Sequence, residues 1–313
     1  MITFDSVTKE YSKKVVISPF SYTLEEGRSM AILGPNGAGK TTLIRMALGV
    51  IPPTYGSVRI WDQVISNSSF ALKRKIGVVL EEQNFMLDVS ATEYLRFFAE
   101  LYEVKNPEDR IASLLEFMEL GEAASRKIRA YSTGMKRKLN IIQAILHNPC
   151  ILIVDELFSG LDPIGITLTM QLLRKMKQNG TTLILSSHIL SDLDELVDDL
   201  LILDRGMVKA VGKKDELYTS FEIDRICRAQ IVDTHVPLFE KVLMELSVGD
   251  IQVKSDNSIE FVVPQSIPDF KERLAGKIMN NKILVISLSY FDPRIQQLYS
   301  QVMDYKEVGD HAV

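Results

Sequence analysis

The sequence predicts an α/β fold followed by a smaller α+β domain. Continuous apolar runs of strand length, at Cys150–Val154 and Thr181–Leu185, are typical of parallel strands covered on both faces. Amphipathic helical segments alternate with such runs, as in sheets that carry helices on their faces. A glycine-rich loop also joins a predicted strand, Met30–Leu33, to a predicted helix, Leu43–Leu48.

Length and composition limit the classes of protein. The 313 residues exceed one typical domain and suit two. A formal net charge of -5 provides no basic field for nucleic acid, so we expect no nucleic-acid partner. The two cysteines, Cys150 and Cys227, fit a reducing cytoplasm better than a disulfide framework. We find no signal peptide and no run near the roughly 18 apolar residues that span a bilayer, so a membrane role would need a partner.

Short alternating apolar runs in residues 1–30 predict strands that precede the glycine loop. Tyr11 lies within them. Its ring could stack on an adenine, or it could be a half-exposed aromatic of a strand, and composition alone leaves both open.

The glycine loop has the spacing Gly-x-x-x-x-Gly-Lys-Thr. Its glycines allow the backbone N–H groups to surround a phosphate, and the following helix adds the partial positive charge of its N-terminus. Lys40 would reach the β- and γ-phosphates, and the Thr41 hydroxyl would bind Mg²⁺. The predicted ATP-binding loop comprises Gly34, Pro35, Asn36, Gly37, Ala38, Gly39, Lys40, Thr41 and Thr42.

A second predicted strand, Ile76–Leu80, ends in the polar residues Glu81–Asn84. Ligands of α/β proteins bind at the carboxyl ends of such strands. The triplet Phe85–Leu87 follows, and it either caps the core or forms a contact patch for another protein. We favour docking, because polar residues bracket the triplet.

Helical apolar spacing over about residues 91–147 predicts a helical subdomain. Ser132-Thr133-Gly134 begins one of its helices and offers hydroxyl and N–H groups to an anion. Taken alone, this segment favours an ordinary N-cap followed by a solvated basic face.

Two carboxylates, Asp155 and Glu156, end the strand that begins at Cys150. Acidic groups at the end of a buried strand are costly unless they serve a cation or a reaction. We expect Asp155 to hold Mg²⁺ and Glu156 to polarise a water molecule. His188 closes the next strand beside the predicted phosphate site, so we assign it a functional role.

Residues 221–313 have the predicted order strand, helix, strand, strand, helix, strand, which suggests a ferredoxin-like sandwich. We place the domain boundary near Tyr218–Ile223, giving domains 1–220 and 221–313. The C-terminal domain contains no recognisable catalytic constellation.

Together these motifs resemble the ATP-binding subunit of an ABC transporter over about residues 1–220. The glycine loop is similar to Walker A, and Cys150–Glu156 to Walker B with its catalytic glutamate. Tyr131–Met135 stands where the family has Leu-Ser-Gly-Gly-Gln. Further matches are Ser159–Asp162 with the D-loop, His188 with the switch histidine, Tyr11 with the adenine-stacking aromatic and Glu81 with a glutamine position.

The resemblance implies a RecA-like P-loop NTPase core with an antiparallel β subdomain and a helical subdomain. It implies an ATPase at the cytoplasmic face of the membrane that works with integral membrane permease subunits. ATP and Mg²⁺ would be sandwiched between two nucleotide-binding subunits, with Ser132 and Gly134 supplied by the second. It further implies contacts of Asp162 and Glu81 with the nucleotide, and of Glu81 with the metal.

Three residues depart from the common family pattern, namely Glu81, Thr133 and Met135. Similar variants are usual in exporters of drugs, antimicrobial peptides and polysaccharides, so we expect an exporter. A soluble ABC ATPase acting in translation or cluster assembly is the alternative, and a module that binds ATP without hydrolysis is a third. Intact Glu156 and His188 argue against the third.

Overall fold

The structure is a computed structural model that describes residues 1–12, 14–80, 84–187, 193–264, 267, 269–291 and 294–304. The chain divides into two compact units. The first comprises Met1–Ile189 and Glu195–Lys213, and the second comprises Leu190–Asp194 and Lys214–Val313.

A six-stranded sheet forms the centre of the first unit, in the order β10-β9-β3-β8-β7-β6. β3, β6, β7, β8 and β9 run parallel, and β10 pairs antiparallel with β9 at the edge. Every residue of β3, β7 and β8 is buried, as their continuous apolar sequences predict. The strands are β3 (Ser29–Leu33), β6 (Ile76–Val79), β7 (Ile151–Val154), β8 (Thr182–Ser186), β9 (Asp199–Asp204) and β10 (Met207–Lys213).

An antiparallel sheet and a set of helices complete this unit. The sheet has the order β2-β1-β4-β5. Its strands are β1 (Ile2–Tyr11), β2 (Lys14–Leu24), β4 (Tyr55–Ile60) and β5 (Gln63–Val64). The helices are α1 (Lys40–Ala47), α2 (Phe70–Lys73), α3 (Ala91–Leu101), α4 (Pro107–Phe117), α5 (Thr133–Ile145) and α6 (Pro163–Gln178). The predicted combination of parallel core, antiparallel sheet and helical segment is confirmed.

The second unit contains an antiparallel sheet of order β12-β13-β11-β14, with a core that includes Phe239, Phe261 and Leu274. In chain order the elements from β11 onward are strand, helix, strand, strand, helix, strand, as the sequence predicts. The strands are β11 (Arg225–Ile231), β12 (Gly249–Val253), β13 (Ser258–Val263) and β14 (Val285–Phe291). The helices are α7 (Lys214–Ser220), α8 (Val236–Glu245), α9 (Phe270–Asn280) and α10 (Arg294–Asp304).

Candidate nucleotide site

The glycine loop follows β3 directly and leads into α1, which begins at Lys40. Two of its glycines have no room for a side chain. A Cβ on Gly34 would lie 2.3 Å from the carbonyl oxygen of Leu203, and one on Gly39 would lie 2.6 Å from Cδ1 of Ile17. Gly39 also has a φ of 112°, which side-chain-bearing residues rarely adopt. The path of the loop therefore depends on glycine at both positions.

A cavity of about 430 Å³ lies against this loop. Residues of the loop, of β2 and of the segment after β7 line it, so Glu156, distant in sequence, reaches the predicted phosphate site. The lining residues are Val16, Pro35, Asn36, Gly37, Gly39, Lys40, Thr41, Thr42, Glu156 and Ser159. Ala38 belongs to the loop but is buried in the core beneath it.

The Lys40 ammonium is held inside the loop. Its Nζ donates to the carbonyl oxygens of Gly34, at 2.7 Å, and of Pro35, at 3.4 Å. The same Nζ lies 3.6 Å from Oε1 of Glu156, and both side chains are largely buried. This arrangement places a cation and a carboxylate side by side in the cavity wall.

Thr41 and Asp155 form the second contact across the site. The Thr41 hydroxyl donates to Oδ2 of Asp155 at 2.9 Å, and the Ser186 hydroxyl donates to Oδ1 at 2.7 Å. A hydroxyl and a carboxylate in contact are hard oxygen ligands that suit Mg²⁺, which usually takes its other ligands from water and phosphate. No group of three His, Cys, Asp or Glu side chains converges within the described part of the chain. The residues present therefore fit a magnesium ion shared with a nucleotide.

The backbone of Glu156 is held in an unfavourable conformation. Its φ is 51°, in the left-handed region. The Ser186 hydroxyl accepts a hydrogen bond from the Glu156 N–H at 2.8 Å, and the Arg137 guanidinium donates to the Glu156 carbonyl oxygen. Sequence reasoning assigned no role to Ser186 or Arg137. The sequence carried no signal for Ser186, because it lies beside Asp155 only through the parallel pairing of Val154 with Leu185.

Other predicted site residues lie away from this cavity. Ser132 is the N-cap of α5, where its Oγ accepts from the Met135 N–H at 3.2 Å. Asp162 caps α6 by accepting from the Gly165 N–H at 2.7 Å. That helix begins at Pro163, since proline suits the first helical position. A Cβ on Gly134 would lie 3.2 Å from the Gly160 carbonyl oxygen.

Nucleotide contacts were also predicted for Tyr11, Glu81 and His188. Tyr11 ends β1 and is 48% exposed, with the Lys9 ammonium 4.9 Å from its ring centroid, and it does not line the cavity. Glu81 and His188 lie outside the described residues.

Arg137 and Lys138, in the second turn of α5, do not form the solvated face that an ordinary capped helix would show. Arg137 and Lys138 are 6% and 7% exposed. Their long side chains turn towards neighbouring elements, where hydrogen bonds from the Arg137 guanidinium compensate for its burial.

The apolar triplet Phe85–Leu87 is partly exposed. Met86 and Leu87 are 43% and 45% exposed, whereas the half-buried Phe85 ring packs 5.6 Å from that of Tyr94.

Within the described residues, no helix is both long enough and apolar enough to cross a membrane.

Comparison with known proteins gives consistent matches. The family model described as "ABC transporter" matches residues 17–159. The linearmycin resistance ATP-binding protein LnrL of Bacillus subtilis (strain 168) is 30% identical over 96% of this chain and 97% of its own length. The Nod factor export ATP-binding protein I of Ralstonia nicotianae is 32% identical, covering 70% of this chain and 69% of that protein.

Two solved structures each match about 70% of this chain. An ATP-binding subunit of an ABC transporter superposes with a TM-score of 0.67 at 29% identity, covering 71% of this chain and 93% of that one. The dimeric ATP-binding cassette MJ0796, in a post-hydrolysis state bound to ADP and Pi, gives a TM-score of 0.62 at 25% identity. That match covers 68% of this chain and 98% of the other.

Proposed function

The chain belongs to the family of ABC transporter ATP-binding proteins and is a transporter ATPase, and from this premise we propose that it hydrolyses MgATP in the glycine-loop cavity to drive export. The relatives support this function over a soluble ATPase of translation or cluster assembly.

One observation carries the proposal. Four groups from two distant stretches of sequence come together here: the Lys40 ammonium lies beside the Glu156 carboxylate in the cavity wall, and the Thr41 hydroxyl, also in that wall, bonds to the buried Asp155. A cation, a hydroxyl and two carboxylates beside a glycine loop are what phosphoryl transfer to water requires. A purely structural glycine turn would not need them.

Each group has a distinct role in this proposal. Lys40 exchanges its carbonyl acceptors for the terminal phosphates and neutralises their charge. Thr41 and Asp155 would hold Mg²⁺, which would neutralise part of the phosphate charge. Glu156 accepts the proton of the attacking water. The Ser186 hydroxyl bonds to both the Asp155 carboxylate and the Glu156 N–H, and so fixes the position of one relative to the other.

A second copy or a related chain would complete the site. Ser132 and Gly134 lie outside the cavity that their own chain forms, and the cassette MJ0796 is a dimer. We assign Ser132 and Gly134 to the nucleotide of the facing subunit. Asp162, Tyr11, Glu81 and His188 keep their predicted roles in nucleotide contact, with Glu81 also at the metal.

Export and membrane docking rest on two supports. The relatives are named for resistance and for export. Met86 and Leu87, which follow β6 in the chain, have exposed apolar side chains. We assign this patch to docking on separate membrane subunits, which places the chain at the cytoplasmic face of the membrane.

The test replaces Lys40 by alanine. Without the ammonium the terminal phosphates lose their fixed countercharge, so ATP hydrolysis should fall to background. Arg45→Ala is the matched control, because Arg45 is an exposed basic residue of the same helix and should change the rate less than about twofold. Hydrolysis by Lys40→Ala at the rate of the unchanged protein would remove the central claim.

A further inference from the structure

Arg137 connects helix α5 to the ends of two strands of the central sheet. Its guanidinium is buried and donates to the carbonyl oxygen of Leu80 at 2.7 Å and of Asp155 at 2.8 Å. It also donates to the carbonyl oxygen of Glu156. Three backbone acceptors around the catalytic residues are thus satisfied by one side chain.

These carbonyls belong to neighbouring strands. Val79 pairs with Val154, so β6 and β7 end side by side, and Leu80 and Asp155 follow those ends. One turn further along α5, the Asn140 amide donates to the same Leu80 oxygen at 3.2 Å. Helix α5, which Ser132 caps, is therefore bonded to the backbone that carries both carboxylates.

The Glu156 backbone needs such support. Its left-handed φ of 51° is disfavoured for a residue with a side chain, and it persists only where surrounding groups hold it. The Ser186 hydroxyl holds the N–H side and Arg137 holds the carbonyl side. Rotation of this residue to an ordinary conformation would redirect its carboxylate away from Lys40 and the cavity.

We propose that Arg137 is a positioning residue for hydrolysis, which fixes the direction of the Glu156 carboxylate through the backbone. The proposal rests on Glu156 being the base, as assigned under the proposed function. A guanidinium presents five N–H donors in a rigid fork, whereas lysine offers one nitrogen. Arg137→Lys should therefore retain part of the positioning and Arg137→Met none.

The first experiment separates turnover from binding in the 313-residue chain. We expect Arg137→Met to lower kcat about 10- to 100-fold, the scale of a misplacement near 1 Å, with KM for ATP changed less than about twofold. Arg137→Lys should lie between the methionine variant and the unchanged protein. All assays are run below the onset of thermal unfolding of each variant.

Lys138→Met is the matched control. Lys138 is the next residue of α5 and is equally buried, but its Nζ lies 3.5 Å from Glu119 instead of on the strand ends. It should lower the melting temperature and leave kcat within about twofold. Equal loss of kcat in the Lys138 and Arg137 variants would show a general effect of helix α5 and overturn the proposal.

A double-mutant cycle supplies the second readout, with Arg137→Lys used because it keeps the charge and most of the side-chain volume. If Arg137 acts through Glu156, adding Arg137→Lys to Glu156→Gln should lower kcat no further. Additive losses would overturn the positioning role while leaving Glu156 as the base. Normal turnover in Glu156→Gln alone would instead overturn the proposed base.

Discussion

Replacement of Glu156 by glutamine should change binding and turnover in opposite directions. The substitution keeps the size of the side chain and removes its charge and its capacity to accept a proton. In the structure Glu156 neutralises Lys40 across 3.6 Å, with side-chain exposures of 13% and 7%. ATP must compete for that ammonium, and its terminal phosphate is repelled by the same carboxylate.

The size of the effect follows from this geometry. Two unit charges 4 Å apart at an effective dielectric constant near 20 interact by about 4 kcal/mol. The gain is smaller than this, because the phosphates must still displace the two carbonyl acceptors of Lys40 and water screens part of the site. We therefore expect MgATP binding to strengthen by about 1–2 kcal/mol, or about 5- to 30-fold. Loss of the base should lower turnover by about two to four orders of magnitude.

Equilibrium binding of a fluorescent ATP analogue and phosphate release measure the two effects on the same preparation. Accumulation of an ATP-bound dimer, seen as a shift in gel filtration, is also expected. Glu25→Gln is a control for loss of one exposed carboxylate and should change neither quantity. Unchanged turnover would show that Glu156 is not the base, and unchanged or weaker binding would show that its carboxylate does not oppose the nucleotide.

Three other changes test separate parts of the structure. Gly39→Ala should abolish ATP binding, because the new Cβ would collide with β2 and the backbone φ is 112°. Gly180→Ala is the control, since Gly180 also has a positive φ, of 86°, but open space around it, and this variant should bind ATP normally. Equal binding by both variants would contradict the steric argument. The double variant Met86→Ser, Leu87→Ser should lower the free energy of unfolding by about 1 kcal/mol for each residue, since both side chains are nearly half exposed. It should also reduce the amount of the chain that is recovered with membrane subunits. A large fall in melting temperature would favour the core alternative. Burial lowers the pKa of His147 from 6.5 to about 4. Between these two values the unfolded chain binds the proton and the folded chain does not, so the stability should fall as the pH is lowered from 6.5 to 4. His147→Phe, which keeps the stacking on a neighbouring ring, should flatten that part of a profile of urea midpoint against pH, and an unchanged slope would rule out this group.

The fold was predictable because its main signals are local. Continuous apolar runs such as Ile151–Val154 specify strands buried on both faces, and the helical spacing after Ala91 specifies amphipathic helices with one buried face. The β–α order of the C-terminal residues likewise follows from short-range periodicity. These patterns depend on neighbours within a few residues, so one sequence suffices to show them.

The candidate site was predictable where its chemistry is concentrated in short motifs. The loop from Gly34 to Thr42 carries its own backbone geometry, and the cost of burying Asp155 and Glu156 without a partner marks them as functional. Roles given to Ser132 and Asp162 came from family resemblance, and the structure shows both as helix caps within their own chain.

By itself the sequence determined the order of the elements and the residues that carry the chemistry, because chain order and side-chain type are local properties. Only the tertiary structure decided which of them meet. Ser186 lies against Asp155 because β8 is placed beside β7, and Arg137 reaches Leu80, Asp155 and Glu156 because α5 packs at the ends of β6 and β7. These contacts join residues up to 57 positions apart. They come within hydrogen-bonding distance through strand adjacency and helix packing, which no short window of sequence records.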